Sequence, residues 1–192
     1  MTEKFQNKYR ISSARLNAWN YGLAASYFIT VCTDNRQHFF GEIINEKMVL
    51  SEIGEIVENE WIKTPGLRPD MNLELDAFCV MPNHFHAIII IGNNEFNDRR
   101  DAMHRVSTTT PQSANKFGAQ SKNLASIMRG FKSAVTVAAR LIDENFKWQA
   151  RFHDHIIRND LEFGRIRKYI IENPKTWQKD KFFDDLPEIK EQ

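Results

Sequence analysis

A chain of 192 residues, 42% hydrophobic and 27% charged, carries enough apolar material for one globular core and too much for a disordered tail. Its longest unbroken apolar runs, such as Ala87 to Ile91, are far shorter than the roughly 20 residues a bilayer span requires, and no apolar stretch follows the charges of the N-terminus. These features predict a soluble, cytoplasmic protein with no membrane partner. Cys32 and Cys79 both lie in apolar, strand-like runs, which predicts reduced core thiols rather than a disulfide framework or a zinc knuckle.

The net charge is +1, but its distribution is uneven. From Arg99 to Arg140 eight bases (Arg99, Arg100, Arg105, Lys116, Lys122, Arg129, Lys132, Arg140) stand against the single acid Asp101, and from Lys4 to Thr33 four bases face no acid. Such stretches can neutralise a phosphate backbone; they can equally form a solvated face balanced in space by the acidic segment 52–76.

In chain order, the aromatic and β-branched run Ala25 to Thr33 predicts a first strand, and His38 to Leu50 a hairpin turning at Asn45-Glu46. Ser51 caps a predicted helix running to Ile62, with acids outward, closed by Pro65-Gly66. Asn72 to Val80 and Asn83 to Ile91 read as two strands, the second apolar enough to be central. Residues 92–121 show neither period and predict a mobile basic loop. From Lys122 to about Asn145 the set Leu124, Ile127, Met128, Phe131, Val135, Ala138, Leu141 and Ile142 keeps helical spacing, with a basic outer stripe. Trp148 to Arg158 predicts a last strand, and Asn159 with Glu162 a capping box opening a helix that stops near Asn173-Pro174. The alternation of elements predicts an α+β or α/β sandwich of helices against one sheet.

His84-Phe85-His86 opens the most apolar strand, where a period of two puts both imidazoles on one face and Phe85 on the other. Two imidazoles so placed can hold one divalent ion; hydrogen-bonded sheet histidines are the plainer reading. An oxygen ligand from elsewhere would be needed for Mg²⁺ or Mn²⁺ with positions left open for phosphate. Tyr169 and Asn173, at i and i+4, share one face of the final helix and could bring a phenol nucleophile and an amide oxygen together. Tyrosine ionises near pH 10, so a nearby cation is what would make it a useful nucleophile at neutral pH.

These residues resemble the HUH single-tyrosine transposases of insertion sequences, in particular the REP-associated tyrosine transposase branch. The resemblance runs in order through Asn7-Lys-Tyr-Arg-Ile11 with Ala14-Arg15-Leu16, Tyr27 to Thr33, Met81 to His86, Arg129-Gly-Phe-Lys132, and Tyr169-Ile-Ile-Glu-Asn173-Pro174. It implies a single domain over 1–192 with a ferredoxin-like α+β fold, a central antiparallel sheet and helices packed on it. It implies binding of single-stranded or hairpin DNA, and attack by Tyr169 on a phosphodiester to leave a 5′-phosphotyrosine and a free 3′-hydroxyl. By the same analogy His84 and His86 are ligands of Mg²⁺ or Mn²⁺, with Asn173 the third. Arg129, Lys132, Lys122, Arg140, Arg10 and Arg15 are the expected DNA contacts. Both a homodimer that exchanges the tyrosine helix and a site complete within one chain fit the family.

Two further readings compete with this one. A domesticated hairpin-DNA binder would keep the basic surface without cleaving. A zinc phosphoesterase could also use His-x-His, but no third His, Cys or Asp at zinc spacing accompanies the pair. His153 and His155 read as surface or DNA-facing side chains.

Overall fold

Eight residues, Ala25–Cys32, form strand β3, in which Tyr27, Ile29 and Val31 turn to one side of the sheet and Phe28, Thr30 and Cys32 to the other. The computed structural model describes residues 19–98 and 121–183, together with the backbone of two short paired strands, β1 (Lys4–Phe5) and β2 (Lys8–Tyr9). Arg10, Arg15 and most of the expected basic loop, residues 99–120, lie outside the described residues. The described start of that loop already departs from expectation, since residues 95–98 turn as a helix.

After β3, β4 (Gly41–Ile44) and β5 (Lys47–Leu50) form the predicted hairpin, with Asn45 and Glu46 both at positive φ, as a tight two-residue turn requires. Helix α1 (Glu52–Lys63) begins where Ser51 Oγ accepts the Gly54 amide at 3.1 Å. Strands β6 (Leu73–Met81) and β7 (His84–Ile91) follow as an antiparallel pair. Helix α2 (Leu124–Ala139), β8 (His153–Ile157) and helix α3 (Asp160–Glu172) complete the order.

The four-stranded sheet runs β6-β7-β3-β8, antiparallel throughout. With α1 between β3 and β6 and α2 between β7 and β8, this is the ferredoxin-like α+β arrangement expected from the sequence. Residues of α1 and α2 (Ile53, Val57, Trp61, Leu124, Ile127, Met128, Phe131, Val135) pack on Tyr27, Ile29, Val31, Phe85, Ala87 and Ile89. Full burial of Phe85 stabilises by about 2–3 kcal/mol on area alone. A smaller cluster on the opposite face seats α3, with Ile170, Phe163 and Ile166 against Ile88, Phe28 and Cys79.

In β6 the apolar alternation breaks at Asp76-Ala77, and a bulge there absorbs the extra residue, so that Leu75 pairs with Ile89 and Phe78 with Ala87. Asp76 accepts from Arg167 Nε at 3.1 Å, which ties α3 to the sheet edge.

Two expected boundaries move, and one capping arrangement differs. Helix α2 stops at Ala139, leaving Leu141 87% exposed, because the chain turns there and buries Phe146 instead. The last strand shortens to five residues, and Trp148 contributes only an isolated bridge to Thr33. Asn159 does cap α3 through Glu162 N at 2.9 Å, but the Glu162 carboxylate bonds the Arg158 amide and His155 rather than closing a capping box. The closed box is at α2, between Asn123 and Ser126. Both cysteines are free thiols.

Candidate active site

Because Phe85 belongs to the helix-packed core, the period of the strand puts His84 and His86 on the other face, under α3. Their rings lie 4.5 Å apart between centroids, and both are buried, at 0% and 1% exposure. Across the sheet His86 pairs with Thr30 on β3 and Cys79 on β6.

Neighbours orient each imidazole. Asn83 Nδ2 donates to the Phe182 carbonyl at 2.9 Å, which turns Asn83 Oδ1 toward His84 Nδ1 at 2.9 Å. That amide oxygen can only accept, so Nδ1 of His84 carries the proton and Nε2 keeps its lone pair. His84 Nε2 is buried with no hydrogen-bond partner among the described residues. His86 Nδ1 lies 2.8 Å from Thr30 Oγ1, a hydroxyl able to donate to it or accept from it. Burial pushes His84 down to about 3, helped by the positive charges of Lys181 and Arg36. Burial also holds His86 well below its usual range. Both rings are therefore neutral, the state in which imidazole ligates a metal.

Helix α3 brings Tyr169 over this pair: its hydroxyl lies 3.2 Å from His86 Nε2, and its ring packs edge-on to His86 and Phe28. One turn later Asn173 is fully buried, as the shared face of the two residues predicts. The helix tightens there into a 3-10 turn, Asn173–Lys179, with Pro174 at its start. That turn delivers Asp180, whose Oδ2 accepts from Tyr169 Oη at 3.2 Å and from Asn173 Nδ2 at 2.9 Å. Asp180 Oδ1 accepts the Phe182 amide at 2.8 Å. Burial, then the charge of Asp180 and its hydrogen bond, raise Tyr169 well above the ordinary phenol range.

His84, His86 and Asp180 offer ligand atoms within 4.8 Å of one another. Asn173 Oδ1 is a second buried acceptor with no partner among the described residues. The expected residues His84, His86, Tyr169 and Asn173 thus converge, and Asp180 joins them. Sequence reasoning missed Asp180 because no local pattern marks it; only the 3-10 turn after Pro174 brings it back to the histidines. Thr30, Asn83 and Phe182 were missed for the same reason, although Asn83 borders the His-x-His motif directly.

The expected DNA contacts do not gather here. Helix α2 packs on the opposite sheet face, where Arg129 is exposed. Lys132 is turned back on its own chain, its amine donating to the Gln149 and Arg151 carbonyls at 2.8 and 2.9 Å. Arg140 Nε bonds the Phe146 carbonyl at 3.1 Å. Lys122 pairs with Asp70 at 3.2 Å and sits over the Phe96 ring. His155 bonds Glu162 at 2.8 Å, and His153 is exposed on the edge strand. Among the described residues no helix is long and apolar enough to cross a membrane.

No family model matches the chain. An uncharacterized protein of Haemophilus influenzae is 36% identical over 174 residues, which cover 90% of this chain and 93% of that protein. The chain belongs to that protein's family. Among solved structures, a REP-associated tyrosine transposase bound to a REP hairpin superposes with a TM-score of 0.56 at 22% identity, covering 89% of this chain and 77% of the other. The family member described here therefore has the REP-associated tyrosine transposase fold, as the order of its motifs led one to expect.

Proposed function

We propose that this protein is a DNA transposase that nicks and rejoins single-stranded or hairpin DNA through Tyr169, with Mg²⁺ or Mn²⁺ held at the histidine pair. One observation carries the reading: the Tyr169 hydroxyl stands 3.2 Å from His86 Nε2, over a group of two imidazoles and a carboxylate within 4.8 Å of one another. A fold shared with a transposase solved on a REP hairpin supports DNA of that kind as substrate.

The donor set suits a divalent ion. His84 Nε2 and Asn173 Oδ1 are buried acceptors that no described residue satisfies, and such atoms are costly unless something binds them. His84, His86 and Asp180 would hold the ion, with the Asn173 oxygen as a fourth donor; mixed nitrogen and oxygen ligands suit Mn²⁺ and tolerate Mg²⁺. When bound, the ion supplies Lewis acidity to a phosphate oxygen and favours the phenolate.

The protein's own groups do the rest. Tyr169 Oη attacks phosphorus, a new O–P bond forms, and the P–O3′ bond breaks. The departing 3′ oxygen leaves as a hydroxyl after taking a proton from solvent. Asp180 Oδ2, already the acceptor of the phenol's hydrogen bond, is placed to receive its proton. Asn173 Nδ2 holds that carboxylate in line. Rejoining is the reverse attack by a 3′-hydroxyl on the phosphotyrosine, so no nucleotide cofactor is needed.

One observation favours the second reading, a hairpin-DNA binder that does not cut: the histidine pair is covered, with the Phe182 ring 4.6 Å from His84. Incubation with hairpin DNA and Mn²⁺ decides between the two. A covalent adduct that disappears in Tyr169→Phe supports the transposase; salt-sensitive binding with no adduct for any metal or hairpin supports the binder.

A further inference from the structure

The cations that face the histidine pocket come neither from α2 nor from α3. After β3 the chain makes a 3-10 turn, Asp34–Arg36, in which Asn35 and Arg36 are both left-handed, at φ 50° and 55°. Asparagine tolerates this backbone, but arginine rarely adopts it. The turn is held from several sides: Arg36 N bonds Thr33 O at 3.3 Å, Thr33 Oγ1 donates to Gln37 O at 2.8 Å, and Asp34 N donates to Lys147 O at 2.9 Å. An unfavourable conformation maintained by its surroundings points to a use for the side chain it aims.

That side chain is aimed at the pocket. The Arg36 guanidinium lies 5.7 Å from the centroid of the Phe182 ring, and that ring lies 4.6 Å from the His84 ring. Arg36 Nη1 also reaches the Lys181 carbonyl at 3.4 Å, and the Lys181 amine stands over the same phenyl ring at 4.7 Å. Two exposed cations therefore stand over one ring, and that ring packs against His84.

We propose that Arg36 is a phosphate-binding residue of this site, gripping the DNA backbone at a phosphate neighbouring the one presented to Tyr169. This rests on the DNA reading above and deepens it. The planar fork of a guanidinium matches two phosphate oxygens. A strand approaching Asp180 also needs a cation at the rim to offset like-charge repulsion. Lys181, over the same phenyl ring, adds a second, less directional charge.

The test uses the full-length chain in a Tyr169→Phe background, so that binding is read without cleavage, with a fluorescent hairpin oligonucleotide carrying a single-stranded extension. Arg36→Gln should weaken binding about tenfold at low salt and flatten the slope of log affinity against log salt by about 0.7. Arg36→Lys should restore most of that slope, and the melting temperature and its rise with Mn²⁺ should stay at the parent values. Arg36→Gly, which suits the left-handed backbone, serves as a second variant that does not burden the turn. In a scan of single methylphosphonate linkages, one position should weaken the parent and leave Arg36→Gln unaffected.

Equal affinity and slope in parent and variant would overturn the proposal while leaving the DNA reading intact. So would a loss of melting temperature and Mn²⁺ response that Arg36→Lys fails to repair, since Arg36 would then only pin the segment around Phe182. A parent protein that binds no DNA at any salt would take down the DNA reading and this proposal together.

Discussion

Tyr169 Oη and His86 Nε2 are 3.2 Å apart, and the same hydroxyl is 3.2 Å from Asp180 Oδ2. A phenol has one proton for these two neighbours, and the carboxylate, being charged, takes it. His86 then donates from Nε2 to the phenolic oxygen, with Nδ1 accepting from the Thr30 hydroxyl. A metal ion at His86 needs the opposite tautomer, with Nδ1 protonated and Thr30 as acceptor. Thr30 serves either state by rotating its hydroxyl, so ligation requires no movement of the sheet.

The first prediction concerns metal binding without DNA. Mn²⁺ at a hundredfold excess over its dissociation constant should stabilise the protein by about 2.7 kcal/mol, read as a rise in melting temperature. His84→Ala and His86→Ala should abolish the rise, and Asp180→Asn should reduce it. An equal rise in all four proteins would remove these residues from the site.

Acid should unfold the metal-free protein through its histidines. His84 is pushed down to about 3 in the fold, against about 6.5 in the unfolded chain, so below about pH 6.5 the unfolded state binds more protons. Stability is therefore full above that point and falls as the pH drops through the interval, by about 1.4 kcal/mol per pH unit for one histidine. Urea titrations at about pH 7 and about pH 5.5 should show a smaller loss in His84→Gln than in the parent; parallel losses would contradict the assignment.

Lys132 and Arg129, three residues apart on α2, should behave differently. Lys132 donates to two carbonyls of the segment leading into β8, so Lys132→Met should cost about 1–2 kcal/mol in denaturant melts. Arg129 is exposed, and Arg129→Gln should leave stability within about 0.5 kcal/mol. If the two variants melt alike, the tie made by Lys132 carries no weight.

Replacing a helical glycine by alanine ordinarily stabilises by about 1 kcal/mol. At Gly54 the opposite is expected. A Cβ there would stand 2.2 Å from the Phe40 carbonyl oxygen, a backbone atom with little room to yield. Gly54→Ala should therefore cost about 2 kcal/mol or more in a chemical denaturation series. A neutral or stabilising result would mean that α1 docks less closely on the β4 entry than the structure has it.

Patterns set by neighbours along the chain were legible without coordinates. Alternation along β7 put His84 and His86 on one face and Phe85 in the core, helical spacing put Tyr169 and Asn173 on one side of α3, and Ser51 marked the start of α1. Each depends only on backbone period or on a bond spanning three or four residues. The bulge at Asp76-Ala77 was hidden, because an interrupted alternation does not say how the chain absorbs the interruption. The placement of the Lys132 amine was hidden too, because a lysine on a basic helix face looks the same whether its amine meets solvent or the carbonyls of Gln149 and Arg151.

What the sequence determined by itself was the set of elements and the pairing of each chemical group with a face. What only the tertiary structure decided was which faces meet: Asp180 with the histidines, Arg36 at the rim beside Phe182, and α2 on the far side of the sheet. Local periodicity is encoded residue by residue, whereas these contacts depend on where the 3-10 turn after Pro174 and the left-handed turn after β3 send the chain. Those directions are set by packing against strands far away in sequence.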